Sequence, residues 1–94
     1  MVVKLTPQAE TLKTEGNNLY SKGSYEDALA KYTEAIALVP QSAVLFANRA
    51  ACYISLKRHE DALSDALKAT ELDPKYPRAW VRLGSCYEVR YIPF

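Results

Sequence analysis

Ala28 and Pro40 are repeated as Ala62 and Pro74, and Gly16 as Ala50 and Gly84, each time 34 residues further along the chain. A fixed period of this length marks stacked helical hairpins, because one hairpin leaves an apolar face that only its neighbour covers. Positions that match between repeats then line up along one surface of the stack. A chain of this kind offers an elongated recognition surface more readily than an enclosed catalytic centre.

Local signals place five helices on that period. Thr6-Pro7 opens the first, with Thr as N-cap and Pro where its missing N–H costs nothing. Ala9, Leu12, Gly16, Leu19 and Tyr20 form its apolar stripe at three-and-four spacing, and Gly23 closes it. Ser24 starts a second helix carrying Ala28, Leu29, Tyr32, Ala35, Ile36 and Val39, which Pro40 ends. A third begins near Ser42 and carries Val44, Phe46, Ala47, Ala50 and Tyr53. The fourth carries Ala62, Leu63, Ala66, Leu67, Ala69 and Leu72, and stops at Asp73-Pro74. The fifth runs from about Pro77 through Ala79, Trp80, Leu83, Gly84 and Tyr87 to about Arg90.

Small residues at Gly16, Ala50 and Gly84, and at Ala28 and Ala62, mark where paired helices approach closely. Trp80-Val-Arg-Leu83-Gly84-Ser-Cys-Tyr87 resembles the tetratricopeptide repeat letter for letter over the first part of its pattern. Looser copies are Leu12, Glu15, Gly16, Leu19, Ala28, Tyr32 and Pro40, then Phe46, Arg49, Ala50, Tyr53, Ala62, Ala66 and Pro74. The resemblance covers about residues 9–90 and implies an all-α, right-handed superhelical stack of two and a half repeats: 9–42, 43–76 and a partial 77–90, with a tail at 91–94.

Polar residues that such packing does not need are free to bind. Lys13, Asn17 and Tyr20 share one face of the first helix, Asn48, Ala51 and Ser55 the comparable face of the third, and Arg78 and Arg82 lie four apart on the fifth. Lys13, Asn17, Asn48, Arg78 and Arg82 are expected to converge on one groove, with no acid among them. That set holds no nucleophile beside a base and no carboxylate pair, so it does not suit catalysis. It suits an anion, since guanidinium forks and ammonium groups take carboxylates and Asn holds a peptide backbone.

Lys13-Thr-Glu-Gly16-Asn17, Asn48-Arg49-Ala50 and Arg78-Ala-Trp-Val-Arg82 together resemble the dicarboxylate clamp of tetratricopeptide co-chaperones. Those modules grip the C-terminal Glu-Glu-Val-Asp of the cytosolic seventy- and ninety-kilodalton heat-shock chaperones. The resemblance implies that Lys13, Asn17 and Asn48 hold the terminal carboxylate and main chain, that Arg78 and Arg82 take the Asp side chain and nearby carbonyls, and that Tyr20 and Ala51 line a pocket for the penultimate Val. The chain departs from that pattern in three places: Arg78 stands where Lys is usual, Ser55 where a further Lys is often found, and Tyr20 where an aliphatic residue is common. The competing reading is a structural oligomerisation module whose groove is incidental.

The remaining residues point to no second chemistry. The net charge of +1 excludes a polybasic nucleic-acid binder. No run approaches a membrane span, and the first residues lack the apolar core of a signal peptide, so the sequence reads as cytosolic or nuclear. Cys52 and Cys86, again 34 apart, are expected as buried structural thiols, with neither a disulfide nor a metal or other cofactor implied. His59 reads as a surface turn residue, Tyr32, Tyr53 and Tyr87 as packing residues, and Glu10, Glu15, Glu26, Asp27, Glu60 and Asp61 as outer-face or first-turn acids. The third copy holds only its first helix, so Leu83, Gly84 and Tyr87 lack the second helix that would cover them. Tyr91-Ile92-Pro93-Phe94 adds apolar surface there, and self-association through the fifth helix is one expected outcome.

Overall fold

The computed structural model describes residues 3–90, within which the chain forms five α-helices: α1 (Pro7–Ser21), α2 (Tyr25–Leu38), α3 (Ala43–Ser55), α4 (His59–Leu72) and α5 (Pro77–Arg90). Their starts follow the capping chemistry. Thr6 Oγ1 accepts from the Ala9 N–H at 3.2 Å and Ser42 Oγ from the Leu45 N–H at 3.3 Å, each satisfying a donor that the first helical turn leaves open. The turns inside the two hairpins need one left-handed residue each, Gly23 at φ 81° and Lys57 at φ 63°. These are again 34 residues apart.

α1 packs on α2 and α3 on α4, while α2 and α4 bridge to the next hairpin, giving a slab of 47 × 30 × 17 Å. The close approaches lie where the small residues do: Ala28, Ala50 and Ala62 are fully buried. At Gly16 the fit is tightest, since a Cβ there would stand 2.6 Å from Cε1 of Tyr32. At the matching position of the second hairpin, Ala50 instead packs with Ala62, Ala66, Leu83 and Cys86, so α5 supplies the bulk that Tyr32 supplies in the first. Both cysteines are free and buried, as expected.

An ion pair joins the two helices of each hairpin at matching positions. Lys31 Nζ lies 3.5 Å from Glu15 Oε1 between α2 and α1. Arg49 holds Asp65 between α3 and α4 through two bonds, Nε to Oδ2 at 2.7 Å and Nη2 to Oδ1 at 2.9 Å. Glu10, Glu26, Asp27, Glu60 and Asp61 sit in first turns, where the helix dipole favours them.

Two sequence expectations are corrected. Tyr87 does not pack: it is 49% exposed, because the neighbour that covers the matching face of α1 and α3 has no counterpart over α5 among the described residues. His59 is not a turn residue at the surface but the first residue of α4, half-buried, with Nδ1 buried and without a hydrogen-bond partner among the described residues. The expectation for the tail at 91–94 lies outside the described residues. No helix among them is long and apolar enough to cross a membrane.

Candidate functional site

α1, α3 and α5 present one side each to a common groove. Asn48 Nδ2 reaches Asn17 Oδ1 at 3.4 Å, and Tyr20 Oη lies 3.4 Å from Ser55 Oγ at the last turns of α1 and α3, so these helices run parallel with their C-terminal ends together. Between them and the start of α5 lies a cavity of about 160 Å³ lined by Asn17, Tyr20, Tyr32, Asn48, Ala51, Arg78 and Arg82. The structure thus brings together six of the seven residues singled out in the sequence.

The exception is Lys13. Its ammonium pairs with Glu10 at 3.1 Å and lines a neighbouring depression with Glu10, Leu5 and Val44. The expectation that Lys13 joins the groove set is corrected here: Glu10, three residues before it on α1, is its counter-charge. Lys13 stands one helical turn before Asn17 on α1 and is not on the cavity wall.

Tyr32, expected only as packing, is both core and site. The residue is only 2% exposed, with its ring packed over Gly16. Its hydroxyl emerges on the groove side, where it donates to Asn17 Oδ1 at 2.5 Å. With that oxygen occupied by Tyr32 and Asn48, Asn17 is fixed in the orientation that offers its amide N–H groups to a ligand. Burial pushes the Tyr32 hydroxyl up to about 12, with Cys52 and Tyr20 adding to the rise and Arg82 opposing it, so it stays protonated and donating at ordinary pH. The signal in the sequence was a tyrosine placed where the second repeat has Ala66, opposite a glycine where the second repeat has Ala50.

Arg78 and Arg82 close the groove from α5. Arg82 is partly buried and its Nε has no hydrogen-bond partner among the described residues. A buried donor left unmet costs about 1–3 kcal/mol, which an incoming acceptor would recover. The field of Arg82 reaches Cys52 as well, partly opposing the burial that pushes that thiol up to about 12. Ala51, 5% exposed, leaves room beside them where a larger side chain would fill the cavity. Two guanidinium groups, two carboxamides and a hydroxyl donor therefore face a space with no carboxylate on its wall. That arrangement suits an anion with a peptide-like backbone attached.

Known proteins share both the sequence pattern and the fold. Family models described as TPR repeat and tetratricopeptide repeat match residues 16–57 and 43–76. The heat-shock protein cognate co-chaperone sgt12 of Aspergillus fumigatus is 43% identical over 79 residues, covering 84% of this chain and 23% of its own length. The chain thus spans less than a quarter of that relative. The second TPR domain of Spaghetti (RPAP3), solved with the HSP90 peptide SRMEEVD, superposes with a TM-score of 0.86 at 36% identity, covering 89% of this chain and 78% of that one. The second TPR domain of human RPAP3, solved with the HSP70 peptide SGPTIEEVD, gives 0.81 at 37% identity, covering 86% of this chain and 68% of that one.

Proposed function

Because this chain belongs to the tetratricopeptide-repeat family, in its co-chaperone clamp type, we propose that its groove holds the free C-terminus of an acidic chaperone peptide ending in Glu-Glu-Val-Asp. Asn17 and Asn48 take the terminal carboxylate and the last main-chain amide. Arg82, with Arg78 beside it, takes the Asp side chain, and Tyr20 and Ala51 bound the space for the penultimate residue. Lys13 leaves Glu10 and swings one turn along α1 to reach the carboxylate, exchanging a partly exposed ion pair for another that offsets its loss.

The observation that carries this reading is that Arg78 and Arg82 line, with Asn17 and Asn48, a cavity whose wall holds no acid, while the buried Nε of Arg82 has no partner among the described residues. Both related domains solved with peptides hold sequences that end in Glu-Glu-Val-Asp. The partners are then the seventy- and ninety-kilodalton heat-shock chaperones. Their cytosolic setting fits a chain with two free thiols.

A contact made by so few residues to a peptide that must be ordered gives an affinity on the order of micromolar, about −8 kcal/mol. Binding weakens with salt. Titration calorimetry of a Glu-Glu-Val-Asp peptide against its C-terminal amide tests the reading: the amide binds at least about tenfold more weakly, and Arg82→Ala removes most binding while leaving helicity intact. Equal affinity for acid and amide would sink it.

A second reading, self-association through α5, is favoured by the half-exposed Trp80, Val81 and Tyr87. A monomeric mass at all concentrations in sedimentation counts against it.

A further inference from the structure

One side chain of the groove has two parts, and packing explains only the first. The Tyr32 ring fills the close approach at Gly16, where a Cβ would stand 2.6 Å from it, and a phenylalanine ring would fill the same space. The hydroxyl adds nothing to that fit. A buried hydroxyl is costly unless it is bonded, and the partner it has is Asn17 Oδ1 at 2.5 Å. That length lies in the range of about 2.5–3.0 Å for O–H···O bonds and below that of about 2.7–3.2 Å for N–H···O bonds. The carbonyl oxygen of Asn17, and not its nitrogen, therefore faces the phenol. A second donor, Asn48 Nδ2, reaches the same oxygen at 3.4 Å.

We propose that Tyr32 is a positioning residue that sets the groove's preference for a free carboxylate over an amide, by holding Asn17 so that it presents N–H donors alone. The proposal rests on the clamp reading above and assigns part of its selectivity to a hydroxyl that acts through another side chain. A carboxylate offers acceptors on both oxygens, so it matches a carboxamide locked with its N–H groups outward. A terminal amide offers one acceptor and one donor group, and that donor meets an N–H. An Asn17 free to turn over would answer the amide with its own carbonyl and accept either ligand. The lock removes that choice, which disfavours the wrong ligand rather than adding a contact to the right one.

The repeat supplies an internal comparison. At 34 residues beyond Gly16, Asn17 and Tyr32 stand Ala50, Ala51 and Ala66, so the second hairpin has neither the carboxamide nor the phenol. It packs all the same, with Leu83 and Cys86 of α5 in the cluster around Ala50 and Ala66. The phenol thus stands in the hairpin that carries the carboxamide and is missing from the one that lacks it. Burial keeps the Tyr32 hydroxyl protonated at ordinary pH, so the lock is in place wherever the ligand's carboxylate is ionised.

The test is titration calorimetry of a Glu-Glu-Val-Asp peptide and its C-terminal amide on the wild-type chain, Tyr32→Phe, Asn17→Ala and the double variant, with helicity followed by circular dichroism. The wild-type chain prefers the acid by about tenfold or more. Tyr32→Phe keeps the ring and lowers that preference by about threefold or more, as the loss of one hydrogen bond does, with the acid weakened and the amide bound no worse. In the Asn17→Ala background the same change moves the preference by less than about twofold, because the hydroxyl has no Asn17 to act through. If Tyr32→Phe loses helicity, the wild-type chain carries the test by NMR: the Asn17 side-chain amide protons shift further with the acid than with the amide, and equal shifts overturn the proposal. An unchanged preference in a folded Tyr32→Phe, including equal weakening of both peptides, overturns the positioning role and leaves the clamp standing. So does an equal fall with and without Asn17. Absence of any acid preference in the wild-type chain overturns the clamp and the positioning role with it.

Discussion

The two complete hairpins share one period and divide its work differently. At matching positions both carry an ion pair between their helices, but the charges are reversed: Glu15 with Lys31 in the first, Arg49 with Asp65 in the second. Reversal preserves the attraction and the spacing, so the repeat is kept by geometry and not by residue identity. What differs is burial. The first pair is 3.5 Å long with side chains 48% and 37% exposed, whereas Arg49 and Asp65 are 18% and 6% exposed and joined at 2.7 Å. Arg49 also donates to Thr33 on α2 and lies over the rings of Phe46 and Tyr53. The bond to Asp65 is the main reason that its guanidinium is raised above its ordinary value, with burial opposing the shift.

Breaking the two pairs separates these roles. Asp65→Ala leaves an arginine enclosed without its counter-charge, and the expected loss is about 3–5 kcal/mol in chemical denaturation. Glu15→Ala frees an exposed lysine to water, with an expected change of about 0–1 kcal/mol. Equal losses would mean that the repeat treats both pairs as one structural element, and the contrast drawn from burial would not stand.

The second difference concerns how each hairpin fills its closest approach. Gly16 is complemented by the Tyr32 ring, whereas Ala50 is complemented by small residues of α4 and by Leu83 and Cys86 from α5. The first hairpin thus fills its closest approach from its own second helix and turns the filling residue into a site residue through the hydroxyl on Asn17. Gly84 occupies the same position in α5, yet a Cβ there meets nothing within 4 Å. Gly16→Ala should therefore cost about 1–3 kcal/mol through displacement of Tyr32, and should weaken peptide binding as Asn17 loses its anchor. Gly84→Ala should stabilise by about 0.5–1 kcal/mol, because only the helix preference for Ala over Gly remains. Thermal melts of the two variants, together with one peptide titration, check both signs.

The sequence made the period legible, and with it the helices, because caps, prolines and small residues act within a few positions of where they stand. It also made most of the groove legible, since residues at three-and-four spacing on corresponding helices must face the same way. Tyr32 escaped for a different reason. Its ring is a packing residue by every local rule, and only the depth of Gly16 lets the hydroxyl reach Asn17 on the far side. Lys13 differs in the opposite sense: its spacing puts it in line with Asn17, but Glu10 at i−3, besides being a first-turn acid, holds its ammonium. Tyr87 shows the limit of a repeat pattern, which assigns a position its usual neighbour whether or not that neighbour is there.

The smallest difference between the hairpins lies in their turns. Gly23 and Lys57 occupy the same place and both take the left-handed conformation, at φ 81° and φ 63°. Glycine adopts it without a clash, whereas a side-chain-bearing residue there costs about 1–2 kcal/mol. Lys57→Gly should relieve that strain but release more freedom in the unfolded chain, worth about 0.4–1 kcal/mol, so a net gain of about 0.5 kcal/mol is expected. Lys57 is exposed and lines none of the groove, so peptide affinity should not move. A loss of stability in urea denaturation would mean that the Lys57 side chain offsets its own backbone cost through contacts at the end of α3, and that the two turns are equivalent after all.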